Sequence, residues 1–398
     1  MSTDPSSPWA ALLTSIVPEQ RSVGLLQALL WDGAAARARW TAWAKTVGDP
    51  RTFFEKDYLG RKGLLAFISH RLSANGIDPG HDFATYARVA QVREELRGRI
   101  FVDTLRTVLS AMDAARLEPI LVNGAAYAFA VYAEPLVRHN HGIDLMLSGE
   151  RLEEAGRAAV AAGFRHERTT TLPRGVVETY RHRTGLELTL RSRLYLTPHV
   201  EEDVAGLRSR CEEVCVQNFR ARVLAPADRL CHTLGEGATS LTSRNLRWAC
   251  DAYLLLRRDA RFDYDRVIAV AAEVGTALPV AVLLEFFRAE LGVAVPTDVV
   301  AELRRLGGAP RNAQGASLLL SMALRTSASV DDFVRRAREQ PQLFRAATRF
   351  ALFPSAEHIA YQRRPTARWR IPWLYVERMG RLLGRPLRRK RVPRVAAS

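Results

Sequence analysis

Residues 120–147 read ILVNGAAYAFAVYAEPLVRHNHGIDLML, a strand, a tight turn, a helix and a second strand in close succession. Pro119 to Val122 (PILV) is a short apolar run that reads as a strand, and Asn123-Gly124 behind it is a turn dipeptide. Ala125 and Ala126 then open a helical stretch to about Ala133, and Ile143 to Leu147 (IDLML) is a second short strand. A glycine after a strand lets a phosphate approach the backbone, and the helix N-terminus beyond it favours an anion. Asp144 lies inside the second strand, where aspartate is disfavoured.

Downstream, a helix is expected from about Gly149 to Ala162, closed by Gly163. Val176–Arg181 and Leu186–Arg191 flank Thr184-Gly185, a hairpin turn. Residues two apart on a strand face the same way, so Gly142 shares a face with Asp144, and Glu187 with Thr189. Asp144 and Glu187 are thereby candidates to converge on one magnesium ion, which accepts a few carboxylates plus water and substrate phosphates. A pair of such ions supports in-line attack on a nucleoside triphosphate.

The flanks read as helices. Before the α/β unit, Leu25, Leu26, Leu29 and Leu30 form an apolar stripe. A long helix is expected from Ala84 to about Arg116, with Val89, Val92, Leu96, Ile100, Leu105, Leu109 and Met112 near one face. Helices return from about Val200, with a start at Ala225-Pro226-Ala227-Asp228 and further helical patterns over Leu246–Leu256 and Val267–Leu291. The expected organisation is a helical part over 1–116, an α/β core over 117–195, a helical part over 196–362 and a basic tail over 363–398. The fold class is α+β, with a small mixed-sheet core between helical N- and C-terminal parts.

The chain has 398 residues, 47% hydrophobic and 25% charged, ordinary values for a globular protein. Its net charge of +16 is concentrated: between Arg363 and Arg394 stand eleven arginines and Lys390 against Glu377 alone. With Trp369, Trp373 and Tyr375 interspersed, that tail fits a docked C-terminal helix, an anionic membrane surface or nucleic acid. Nucleic acid is disfavoured because the charge is terminal and no RNA-binding signature accompanies it. Cys211, Cys215, Cys231 and Cys250 include no CxxC pair and read as thiols in a reducing compartment. The stretch MSTDPSSPW has no basic n-region, and no run reaches the roughly 18 apolar residues of a membrane span. A cytoplasmic protein is expected, peripheral to a membrane if the tail lies on lipid.

The order of features resembles an uncharacterised nucleotidyltransferase family of bacterial biosynthetic and exopolysaccharide gene clusters, within the polymerase-beta-like superfamily. The resemblance rests on residues 120–147, GLELTLRSRL at 185–194, LAPADRLCHTL at 224–234, LRWACDAYLLLR at 246–257 and LFPSAEHI at 352–359. Tyr132, Pro135 and Arg138 fit the family's Tyr-x-x-Pro-x-x-Arg stretch, and Asp251 fits its helical half. The resemblance implies nucleotidyl transfer from a nucleoside triphosphate to an unknown acceptor, whether small molecule, peptide or protein. Asp144 and Glu187 would hold magnesium, Asn123, Gly124 and Ala125 would face the phosphates, and Arg138 would clamp them.

Three departures fall in that one site. The family's Lys before Gly124 is Asn123, the first Asp of its Asp-x-Asp pair is Gly142, and the His of its acid-Leu-His element is Thr189. Losing a bridging carboxylate implies weakened or absent catalysis, and the rival reading is an inactive family member that binds a nucleotide, peptide or protein. Restoring the acid with Gly142→Asp is expected to tighten magnesium binding. On an extended strand His139 and His141 would point away from Asp144 and so would not replace the missing acid.

Overall fold

The computed structural model describes residues 16–56, 60–167, 177–195, 204–239, 246–258, 262–307 and 372–376. The element at 352–359 and nearly all of the tail lie outside the described residues. Seven strands form one mixed sheet in the order β3-β4-β5-β2-β1-β7-β6. They are β1 (Ile120–Val122), β2 (Gly142–Met146), β3 (Phe164–Glu167), β4 (Val177–His182), β5 (Glu187–Arg191), β6 (Glu212–Val216) and β7 (Phe219–Val223). β2 runs parallel to β5 and antiparallel to β1. β3, β4 and β5 form an antiparallel run whose β4–β5 turn is set by Gly185 at φ 84.

Alternation along the strands separates two cores. Leu121, Ile143, Leu145, Leu188 and Leu190 pack behind the sheet against Leu105, Leu109 and Met112 of the long helix His81–Ala114, and against the helix Leu152–Ala161. On the front, Ile120, Val122 and Met146 join a larger core. That core takes Leu25, Leu26 and Leu29 from the helix Gln20–Leu30, Leu230 and Leu234 from Pro226–Thr239, and Leu283, Leu284 and Phe287 from Ala277–Leu291. The two helical parts therefore share one core. Gln27 Nε2 donates to the Glu290 carbonyl at 2.7 Å, and Trp31 Nε1 to the Leu291 carbonyl at 3.2 Å.

Two expectations are corrected. The sheet does not end at 195: residues 212–223, read as part of a helical region, form the β6–β7 hairpin, and β7 lies parallel to β1. The alternation in EEVCV and FRARV carries that hairpin. Its turn contains no glycine; Gln217 takes the left-handed conformation at φ 55, which hides the usual turn signal. The long helix is also two-faced. Leu105, Leu109 and Met112 are buried, whereas Val89, Val92, Leu96 and Ile100 lie on the opposite side and are 42–63% exposed.

Candidate active site

Asp144 occupies the middle of β2 with Val122 opposite it on β1 and Thr189 opposite it on β5. Glu187 lies opposite Gly142. Paired residues on neighbouring strands face the same side of a sheet, so Asp144, Thr189 and Glu187 share one face, with the two carboxylates diagonal to each other. Val122 leads directly into Asn123, which adopts φ 55 and starts the short helix Asn123–Ala130. Asparagine tolerates that conformation better than most residues. The turn thus sits beside Asp144.

Each carboxylate already faces an arginine. Arg191, whose side chain is 9% exposed, places Nη2 3.5 Å from Asp144 Oδ1. Arg191 follows from the same parity that places Glu187 and Thr189 on one face, so the alternation in Glu187–Arg191 is the sequence signal for it. Glu187 is half-exposed and accepts from Arg181 Nη2 at 3.4 Å, and Arg181 is also bound at 2.6 Å to Glu167. Among the described residues no group of three or more His, Cys, Asp or Glu side chains is placed to hold a metal ion. A two-ion centre therefore does not fit the described donors. The described site offers two carboxylates, each next to a guanidinium.

Gly142 is more than a missing acid. A Cβ built there would lie 2.7 Å from the Glu187 carbonyl oxygen and 3.3 Å from Glu187 Cβ. The β2 and β5 backbones have closed over the space that a side chain would need.

The residues that carry the Tyr-x-x-Pro-x-x-Arg match form a different structure. Arg138 donates from Nη2 and Nε to Asp251 at 2.7 and 3.2 Å, and from Nη1 to the His139 carbonyl at 2.6 Å and Asn140 Oδ1 at 3.0 Å. Tyr132 Oη donates to Asp251 Oδ1 at 2.9 Å. Burial works against the Arg138 charge, but Asp251 outweighs it and holds the guanidinium protonated. A phosphate would have to compete with Asp251 for this fork. Gly124 lies directly under it, since a Cβ there would collide with Asn140 Oδ1 and Arg138 Nη1. Ala125 is buried in the core behind the sheet.

The two histidines are also accounted for. His139 is buried with Nδ1 2.6 Å from Glu94 Oε2, and its ring meets His141 edge-on at 4.3 Å. Burial lowers the His139 pKa, with Glu94 opposing. Neither histidine is counted among metal-holding groups. In the LAPADRL segment, Asp228 is buried between Arg266 at 2.9 Å and Arg210 at 3.2 Å. Arg229 is buried and donates to the Leu224 carbonyl at 2.6 Å. Much of what these segments build is thus the joint between sheet and helices. Of the cysteines, all free, Cys231 and Cys250 are buried and Cys215 is exposed.

A mixed sheet that carries acids on adjacent strands beside a glycine turn, wrapped by helices, is the architecture of a nucleotidyltransferase-type protein. Residues 57–292 match the sequence model of the family described as uncharacterised nucleotidyltransferase, and the chain belongs to that family. Among solved structures, the chain is similar to an antigenic nucleotidyltransferase-like protein from Paracoccidioides brasiliensis, at 13% identity and a TM-score of 0.38. The match covers 50% of this chain and 96% of that one. No curated protein matches the chain.

Proposed function

We propose that the protein binds a nucleoside triphosphate against the sheet face bearing Asp144, Thr189 and Glu187, and transfers its nucleotidyl group slowly to an acceptor. The acceptor is a small molecule, a peptide or a protein. The observation that carries this reading is the β2–β5 register, which sets the two acids on one face next to the Asn123–Gly124 turn. Magnesium, where bound, would be held by Asp144 and Glu187, and would supply charge neutralisation for the phosphates. Arg191 already neutralises part of the Asp144 charge, so the affinity for the ion is low. Asn123 and the Gly124 backbone would face the phosphates.

A second reading has its own support. The closed backbone at Gly142 and the arginine beside each carboxylate favour a family member that binds a nucleotide, peptide or protein without turnover. Outside the site, the tail's arginines make an anionic membrane surface a further candidate contact, and nucleic acid a weaker one. No helix among the described residues is long and apolar enough to cross a membrane. We place the protein in the cytoplasm, peripheral to that surface.

Calorimetric titration of each common nucleoside triphosphate with magnesium, into wild type and Asp144→Ala, tests the assignment. The expected result is weak binding that Asp144→Ala abolishes, with slow release of pyrophosphate when acceptor extracts are added. Binding without any turnover selects the second reading. Equal binding by both proteins overturns the site itself.

A further inference from the structure

The long helix His81–Ala114 presents an apolar seam to solvent. Val89, Val92, Leu96 and Ile100 follow the spacing i, i+3, i+7, i+11 and are 63%, 42%, 58% and 49% exposed. Among the described residues only Val160, Trp373 and Val376 are otherwise exposed as large hydrophobics. The same stretch of helix buries its other side through Phe83, Ala87, Ala90, Phe101 and Val102. Among the described residues the seam belongs to neither core.

The width of the seam and its charges identify the partner. At about 100° per residue, the four side chains fall within an arc of roughly 80°, and they extend about 16 Å along the axis. An arc that narrow is a helix-pairing seam; a helix lying in lipid presents a broader apolar face. Arg93 borders the seam on one side, and Arg88 and Arg99 on the other, all three exposed. The nearest acid within 88–100 is Glu95, turned farther round and bound to Gln91 Nε2 at 2.9 Å. Exposed Asp82 and Asp103 stand beyond the ends of the apolar run. A second copy of this helix, parallel or antiparallel, would bring arginine against arginine.

We infer that the outer face of this helix docks an acidic amphipathic helix of a partner protein, one with a leucine-type seam flanked by glutamate or aspartate. Seam residues would interdigitate with Val89, Val92, Leu96 and Ile100, and flanking acids would pair with Arg88, Arg93 and Arg99. Pairing of this kind sets partner choice through the flanking charges. The inference is independent of the nucleotide site.

The test uses the full-length protein and two labelled synthetic helical peptides with identical leucine seams. One is flanked by glutamates and the other by lysines. Fluorescence anisotropy should show the glutamate peptide binding at least about tenfold more tightly than the lysine peptide, with added salt narrowing the difference. Leu96→Glu/Ile100→Glu should reduce binding of the glutamate peptide by a similar factor while the melting temperature stays unchanged, since both side chains are exposed. Arg93→Glu/Arg99→Glu should invert the peptide preference. Equal binding of the two peptides, or none, overturns the inference. So does a seam variant that instead loses binding to phosphatidylglycerol vesicles, which identifies a lipid face, or loses a dimer in sedimentation, which identifies a self-contact.

Discussion

One glycine and one ion pair decide how the candidate site is to be understood, and each yields a measurement. At Gly142 any side chain meets the Glu187 carbonyl oxygen at 2.7 Å, and backbone cannot yield as a flexible side chain does. Gly142→Ala should therefore cost about 1–3 kcal/mol in urea denaturation, as overpacked positions do. Gly142→Asp should cost at least as much, so any gain in magnesium affinity by titration arrives with a lowered melting temperature. A fully stable Gly142→Asp protein would show that β2 and β5 have slack. Asp251 and Arg138 form a nearly buried pair, with side chains 3% and 11% exposed. Asp251→Asn strands a buried guanidinium and should cost about 3–5 kcal/mol, whereas Asp251→Leu/Arg138→Met should cost less than either single change. A purely phosphate-binding Arg138 would instead leave stability untouched and change triphosphate affinity alone.

At the scale of elements, the sequence yielded the regular and concealed the irregular. Strands β1 and β2, the β4–β5 hairpin and the helix after Gly149 were legible because apolar runs and glycine turns mark them. The β6–β7 hairpin was not, because Gln217 fills a left-handed position that glycine normally announces. Gln217→Gly should relieve that strain and raise stability by roughly 0.5–1 kcal/mol, measured by thermal or urea unfolding. The parity argument for His139 and His141 presumed extended chain, but the strand begins only at Gly142. Arg138 and Asn140 instead fold back over Gly124, and His139 turns to Glu94. Long-range pairs of this sort leave no local pattern. Because burial lowers the His139 pKa below its ordinary value near 6.5, folding favours the neutral ring. Its contribution is complete above about pH 6.5 and is lost as the pH falls below it. Melting temperature should drop on acidification from neutral pH, and His139→Gln should flatten that slope.

For the whole molecule, the division read from sequence into helical part, core and helical part describes the order along the chain, not the units that fold. The front core draws on the N-terminal helices, the sheet and the C-terminal helices together. A fragment of residues 117–195 lacks β7, the neighbour of β1, and leaves Ile120, Val122 and Met146 uncovered. It should lack a cooperative unfolding transition by circular dichroism and bind a hydrophobic dye, whereas residues 16–307 should unfold in one step. A cooperative transition in the short fragment would restore the independent-core view.

The clasp between Gln27 and Glu290, and between Trp31 and Leu291, spans more than 250 positions of the chain. On a ribosome adding roughly 5–20 residues per second, the helix Gln20–Leu30 waits about ten to fifty seconds before its C-terminal partner exists. Through that interval Leu25, Leu26 and Leu29, all fully buried in the finished protein, can rest only against neighbouring N-terminal helices such as Gly33–Val47 and lack their C-terminal cover. The nascent chain is thus expected to depend on a holding chaperone until translation has passed the helix Ala277–Leu291.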